Sequence, residues 1–406
     1  MISMPPTEES QVYGYRWIVL LVFMFIAAVT QILWITFAPI SSLVALLYAV
    51  TELDVALLSL IFMVVYIPVS IPSAYLIDNK GFRYACAVGA FITAIFAVFR
   101  AFSPTYLFLL IFSAGIAIGQ PFVFNSPTKI ARRWFPVKER GLATGLGTMA
   151  IFLGILLGLL VTPFATIAFG FANMMLLYAA VAVIAAILFV LLAKEFPPTP
   201  PMLDEPEDEK MMTGLRHLFG IKQFFILIVL FFIGLGIFNG IATWIEQILL
   251  GRVIDLTQAG IVGAVLIFGG IIGAVIIPEL SDRIQRRKPF ILLSLLMAIP
   301  FTFLLAYHPD YTVLLISAFL LGFFLMPALP IGLQAGAEMT KPIPEGTSAG
   351  VLMIFGQAGG IVLILLMSLV SDFMMTFFWS MIILVVLNVI ALLISLLFHE
   401  TASVTR

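Results

Sequence analysis

Apolar residues in this chain are gathered into long blocks, each stopped by charge, proline or glycine. Twelve blocks of roughly 20 residues or more can be drawn: 16–48, 55–77, 82–102, 104–130, 140–162, 167–193, 222–250, 257–280, 289–307, 311–337, 346–371 and 373–398. A block of this length crosses the apolar layer of a bilayer as a helix, and several are long enough to tilt or to extend past it. The pattern therefore predicts an all-α polytopic membrane protein with twelve transmembrane helices.

The breaks between blocks carry the organisation. Ile71-Pro-Ser-Ala-Tyr-Leu-Ile-Asp78-Asn-Lys80-Gly81-Phe-Arg83 ends one block and starts the next, so two helices must reverse at a single interface around a glycine free to take an unusual φ. Ile277-Pro-Glu279-Leu-Ser-Asp282-Arg283 does the same 204 residues later, counting from Asp78 to Asp282. A second pair, Pro136-Val-Lys-Glu139 and Pro342-Ile-Pro-Glu345, is offset by 206. Two motifs at nearly the same offset predict a parallel repeat of six spans. Between the sixth and seventh blocks, Lys194 to Lys210 is rich in proline and acids and cannot bury itself. The expected division is a bundle over 1–193, a cytoplasmic linker over 194–221 and a second bundle over 222–406. Gly145, Gly147, Gly154 and Gly158, with Gly350, Gly356, Gly359 and Gly360, are expected to allow close helix contact.

Composition agrees with a membrane protein: of 406 residues 63% are hydrophobic and 10% charged, mean hydropathy is +1.20, and a soluble chain is about a quarter charged. The net charge of -1 decides nothing, but its distribution does. With both termini placed in the cytoplasm, 18 of the 20 Lys and Arg fall on that side, and only Arg100 and Arg252 lie outside. Inverting the chain or losing a span would scatter this bias. A single cysteine, Cys86, excludes an internal disulfide. The start has acids and no bases, so it does not read as a cleaved signal.

Polar residues deep in the blocks are the candidate chemistry. Gln31, Trp34, Gln120, Asn239 and Gln357 all fall near the bilayer's middle, where unpaired polar groups are costly and transporter cavities lie. A Trp face binds a cation or stacks an apolar group, and Gln both donates and accepts hydrogen bonds; interhelical bonding is the equal alternative for each. Glu246, in the outer third of the seventh block, is the clearest carboxylate within a span. It could carry a proton, attract a cation or pair with Arg252. Glu279 and Glu338 lie near inner helix ends, where structural pairing is expected. His217, His308 and His399 lie at loops or ends. No phosphate loop, His-Glu-x-x-His motif or buried carboxylate pair is present, so neither an enzyme nor an ATP-driven pump is supported, and no metal or cofactor is expected. The basic clusters flank spans and do not form a nucleic-acid surface.

Six plus six spans, a central linker and the loops at Asp78-Asn-Lys-Gly-Phe-Arg83 and Asp282-Arg283 resemble the major facilitator superfamily over the whole chain. Ala74 stands where that family's loop begins with Gly, and Asn79 replaces an Arg. The resemblance implies two pseudosymmetric bundles around one cavity, opened to each side in turn. It also implies a gating role for Asp78, Lys80, Gly81, Arg83, Asp282 and Arg283, with Asp78 and Arg83 locking the cytoplasmic face when the cavity faces out. Gln31-Ile-Leu-Trp34, Pro68 with Pro72, and Gly119-Gln120-Pro through Trp134-Phe135 are similar to the feline leukaemia virus subgroup C receptor related transporters, whose members move choline and ethanolamine and have been linked with haem. There a first-span Trp and a fourth-span Gln touch substrate, positions that fall on Trp34 and Gln120. The family's seventh-span aromatic falls on Asn239.

The expected function is thus facilitative or secondary transport of a small organic solute, such as a choline-like amine, by a monomer in the plasma membrane, with or without a coupling proton. A proton-coupled organic anion transporter or an amphipathic drug exporter is the alternative within transport. A non-transporting receptor or sensor is the alternative outside it; the short ends, fifteen residues before the first span and eight after the last, argue against that.

Overall fold

The computed structural model describes residues 13–199, 218–250, 252, 255–341, 343 and 345–400. Twelve helical stretches are long and apolar enough to cross a membrane: Tyr15–Tyr48, Glu52–Lys80, Phe82–Ala101, Tyr106–Trp134, Lys138–Phe169, Phe171–Leu192, Lys222–Thr243, Leu256–Ile284, Lys288–Tyr307, Tyr311–Met339, Gly346–Met374 and Phe377–Leu396. Each coincides with one predicted block. Numbered in this order, the first packs on the fifth and the second on the fourth, and correspondingly the seventh packs on the eleventh and the eighth on the tenth. Between the two sets, the fifth meets the eighth and the second meets the eleventh.

The first, fourth, seventh and tenth spans are interrupted, which block hydropathy does not predict. The first is helical over Tyr15–Ile35, makes a short 3-10 turn at Ala38–Ile40 and resumes at Ser41–Tyr48. Pro39 has no N–H for the Ile35 carbonyl. Thr36 Oγ1 draws the carbonyls of Ile32 and Leu33 (2.7 and 3.3 Å), which loosens the same turn. The fourth divides at Asn125 into Tyr106–Phe124 and Pro127–Trp134, and the tenth at Met326-Pro327 into Tyr311–Leu325 and Ala328–Met339. The seventh stops at Thr243, and a short helix Ile245–Leu249 follows Trp244.

The repeat is visible in the caps. Thr51 starts the second span with a capping box to Asp54, and Asp255 starts the eighth with one to Gln258. Each box satisfies two N–H groups that a helix start leaves free. At the third span, the Glu195 carboxylate accepts from the Arg83 N–H at 2.8 Å. At the ninth, Glu400 accepts from the Lys288 N–H. Each half thus ends with a carboxylate on the start of its own third helix, a favourable place for negative charge. Gly81, at φ 88°, leaves room for this: a Cβ there would lie 2.3 Å from Glu195 Oε1. Glu195, read as part of a solvated linker, is instead docked; burial raises its pKa above the usual value.

Most of the predicted glycine contacts are present. A Cβ on Gly154 would meet the Ala28 carbonyl at 2.2 Å, and one on Gly359 the Phe232 carbonyl at 1.9 Å. Gly147, Gly158, Gly356 and Gly360 also sit against neighbours, but Gly145 and Gly350 have nothing within 4 Å. Those two were expected to pack; they line open space instead. The Glu345 side chain and Pro342 lie outside the described residues.

Candidate functional site: one cavity between the halves

The structure is open at the end that carries most of the Lys and Arg, here called the basic end, and closed at the opposite end. A cavity of about 2540 Å³ runs from a mouth at Asp78, Lys129, Arg132, Arg140 and Lys341 to a floor between the halves. Gln31, Trp34 and Gln120 line it from one half, and Asn239 and Gln357 from the other. All five predicted midplane residues therefore border a single space.

Their partners set what each can offer. Trp34 donates its Nε1–H to the Ser59 carbonyl at 3.1 Å, so its only donor is spent and its ring face is what remains. The Asn239 Nδ2 is buried without a hydrogen-bond partner, which costs free energy in this state. Gln31 makes one long contact to Thr30 Oγ1, 3.4 Å. Tyr66, unremarked in the sequence, gives its hydroxyl to Asn125 Oδ1 (3.0 Å), and Asn125 Nδ2 reaches Ser73 Oγ (3.0 Å). This chain ties the second span to the break in the fourth, five residues past Gln120. Phe62, Phe124, Phe231 and Phe238 add aromatic walls. The seventh span thus does present an aromatic, Phe238, one residue before the expected position. Among the described residues two carboxylates line the cavity, Asp78 and Glu279, and both lie toward the mouth.

The predicted gating residues stay within their own halves. Lys129 Nζ donates to Asp78 at 3.3 Å, and the Arg83 guanidinium reaches the Val190 carbonyl at 3.4 Å. Arg283 pairs with Glu279, while Asp282 pairs with Arg287. Arg287, which sequence reasoning passed over, also holds Glu338 at 2.8 Å and so joins the eighth-to-ninth loop to the tenth span.

The closed end turns on Glu246. Buried at 4% exposure, its carboxylate accepts from Ser41 Oγ at 2.8 Å and from the Ser42 N–H at 3.1 Å, across the halves. Gln247 Nε2 donates to both serine hydroxyls at 3.1 Å. Near it, a Cβ on Gly260 would lie 2.6 Å from the Leu159 carbonyl. Glu246 does not pair with Arg252, which gives its guanidinium to the carbonyls of Leu305, Ala306 and His308. Arg100, the other base at this end, lies in the last turn of the third span. It is buried, with Nη1 2.8 Å from the Leu33 carbonyl and its guanidinium 5.1 Å over the Phe37 ring, bracing the last turn before the break in the first span and the break itself.

Comparison with known proteins agrees with this arrangement. The chain is 30% identical over 377 residues to solute carrier family 49 member A3 of Xenopus tropicalis, covering 88% of this chain and 78% of that one. It is 27% identical over 391 residues to the choline/ethanolamine transporter flvcr2b of Danio rerio (90% and 80% covered), and 27% identical over 371 residues to the human choline/ethanolamine transporter FLVCR2 (86% and 70%). In fold it superposes on a bacterial homolog of the human lysosomal transporter Spinster, solved in an inward-facing and unoccupied conformation, with a TM-score of 0.73 at 18% identity over 96% of this chain and 98% of that one. The model of the Major Facilitator Superfamily, a family of membrane transporters and not of enzymes, matches residues 23–253 and 247–405, and the chain belongs to that superfamily.

Proposed function

We infer that this transporter carries a choline-like organic ammonium by alternating access. The observation that carries the reading is the cavity floor: an indole whose one N–H donor is already satisfied, amides with unused hydrogen-bonding capacity and, among the described residues, no carboxylate. A quaternary ammonium has a diffuse charge and no N–H to donate, so an aromatic face suits it better than a carboxylate does. The amides would serve the hydroxyl at its other end. The names of the choline/ethanolamine transporters among the relatives support the same class. The basic end is read as cytoplasmic by the positive-inside rule, which makes this the inward-open state, with the protein in the plasma membrane and the halves as the bodies that rock. Asp78, Arg83, Asp282 and Arg283, unpaired across the halves here, would then close the basic end in the outward-open state.

A thermal-shift series on the purified protein tests the reading, with choline, ethanolamine, organic acids, an amphipathic drug and haem as ligands. A ligand that binds only the folded protein raises Tm by mass action. Choline is expected to stabilise the protein, and Trp34→Ala to abolish the shift. Stabilisation by an acid or a drug that persists in Trp34→Ala would overturn the ammonium reading and leave the fold as it is.

A further inference from the structure

The charges at the closed end divide into two kinds. Of the six acids there, Asp54, Asp255 and Asp310 cap helix starts. The two bases, Arg100 and Arg252, spend their donors on backbone carbonyls. Glu52, Glu246 and Asp372 remain, and these come from both halves and converge on the seam. Glu52 and Asp372 lie at the ends of the second and eleventh spans, and Glu52 is near enough to Glu246 and Asp372 to interact with both electrostatically.

A second observation points to a ligand. Beneath the seam, Ser41, Glu52, Ser59 and Thr243 border a recess too narrow in this state to admit a water molecule. The Thr243 hydroxyl, 3% exposed, has no hydrogen-bond partner there. A buried hydroxyl left without a partner costs free energy, and parting the halves at this end would widen the recess that it borders. The same parting would strip Glu246 of its serine donors and leave three carboxylates around a widening cleft.

We propose that Glu52, Glu246, Asp372 and Thr243 form a binding vestibule for an organic ammonium at the closed end, occupied when that end opens. This deepens the reading above and rests on it for the identity of the cation. The vestibule and the cavity floor then differ in kind: carboxylates concentrate the cation at the entrance, and the aromatic floor selects it. On closing, Ser41 and Ser42 replace the cation as the partners of Glu246, so release inward and resealing compete for one carboxylate.

The test uses the full chain with Cys86→Ser and a reporter, Ser371→Cys, beside Asp372. Its rates of reaction with a trimethylammonium-bearing and a sulfonate-bearing methanethiosulfonate are compared, each normalised to a free thiol. The cationic reagent is expected to react about tenfold faster. The ratio should fall toward one when Glu52→Gln and Asp372→Asn are added. Millimolar choline or tetramethylammonium should slow the cationic reagent, and less so with Thr243→Val. A ratio unchanged by removing the two charges, or no protection by either ammonium, overturns the vestibule. Equal protection by sodium overturns its selectivity for organic cations. The cavity reading fails separately: choline protection at Ser371→Cys without any Trp34-dependent thermal shift retires the floor and keeps the vestibule, and the reverse result retires the vestibule alone.

Discussion

The two ends of the molecule are built from the same materials and used in opposite ways. At the closed end, glycine meets backbone, as Gly260 meets Leu159, and one buried carboxylate is satisfied by hydroxyl and amide donors from the other half. At the basic end, Gly141, Gly145, Gly346 and Gly350 stand on the fifth and eleventh spans with nothing within 4 Å, in two pairs each separated by 205 positions. On the proposed alternating access, this bare glycine surface is where the halves would meet when the basic end closes. The comparison teaches that the closed end joins close helix packing to a few well-paired polar groups, while the matching glycines of the basic end stand bare.

The strongest way to break the comparison is to fill the closed seam. Gly260→Leu places side-chain atoms where the Leu159 carbonyl lies; overpacking of this kind costs about 1–3 kcal/mol, all of it charged to the closed seam. Solute uptake should fall by tenfold or more while the protein still inserts and purifies, and near-normal uptake would show that the seam does not need so close an approach. Removing the latch comes next. Glu246→Ala leaves the buried Ser41 hydroxyl and the half-buried Ser42 N–H without an acceptor, at a cost of about 1–3 kcal/mol. The basic-end-open state should lose occupancy about tenfold or more, read as slower labelling of a cysteine placed at Gly145 in a Cys86→Ser background. Unchanged labelling would mean that Glu246 does not hold the seam.

The reciprocal experiment sharpens the contrast. Gly145→Leu meets nothing in this state, so Tm should change little, by an amount equivalent to about 0.5 kcal/mol or less. Uptake should nonetheless fall several-fold, because the other state brings this surface together; equal uptake would remove the fifth span from the closing interface. The smallest expected effect concerns Glu195. Its pKa is raised by burial, so the folded protein holds this proton more tightly than the unfolded chain does. That contribution is full below the ordinary value of 4.5 and is lost as pH rises through the raised one. Glu195→Gln keeps an acceptor for the Arg83 N–H and removes the titration. Its Tm should vary less than that of the wild type just above pH 4.5, and identical profiles would remove Glu195 as their source.

Much of this was legible in the sequence because membrane burial is a severe filter. Twelve apolar blocks have one use, and a glutamine or asparagine in the middle of a block is expensive enough to demand a reason. That is why Gln31, Gln120, Asn239 and Gln357 could be found without a structure. The breaks in four spans were not legible, because hydropathy averages across a turn; Pro39, Pro127 and Pro327 were the local signals, and the break at Trp244 had none. Glu195 was hidden by its setting among prolines and acids. Its counterpart at Glu400, 205 residues on, was the clue: Arg83 and Lys288 share that offset. Arg100 was assigned its end of the molecule but not its role, because a charge at a block's end shows no burial until its carbonyl partners are seen.

The size of the cavity has a consequence of its own. At ~30 Å³ per molecule, 2540 Å³ holds roughly eighty waters, far more than one small solute displaces. On the proposed alternating access, sealing the basic end returns most of that water to the bulk on that side while the opposite end takes water up, so the equilibrium between the two states responds to a difference in water activity across the membrane. Polymers too large to enter the mouth, added on the basic side alone, should pull the protein toward the state sealed on that side, so that osmotic stress becomes a handle on a conformational step that neither charge nor substrate need touch.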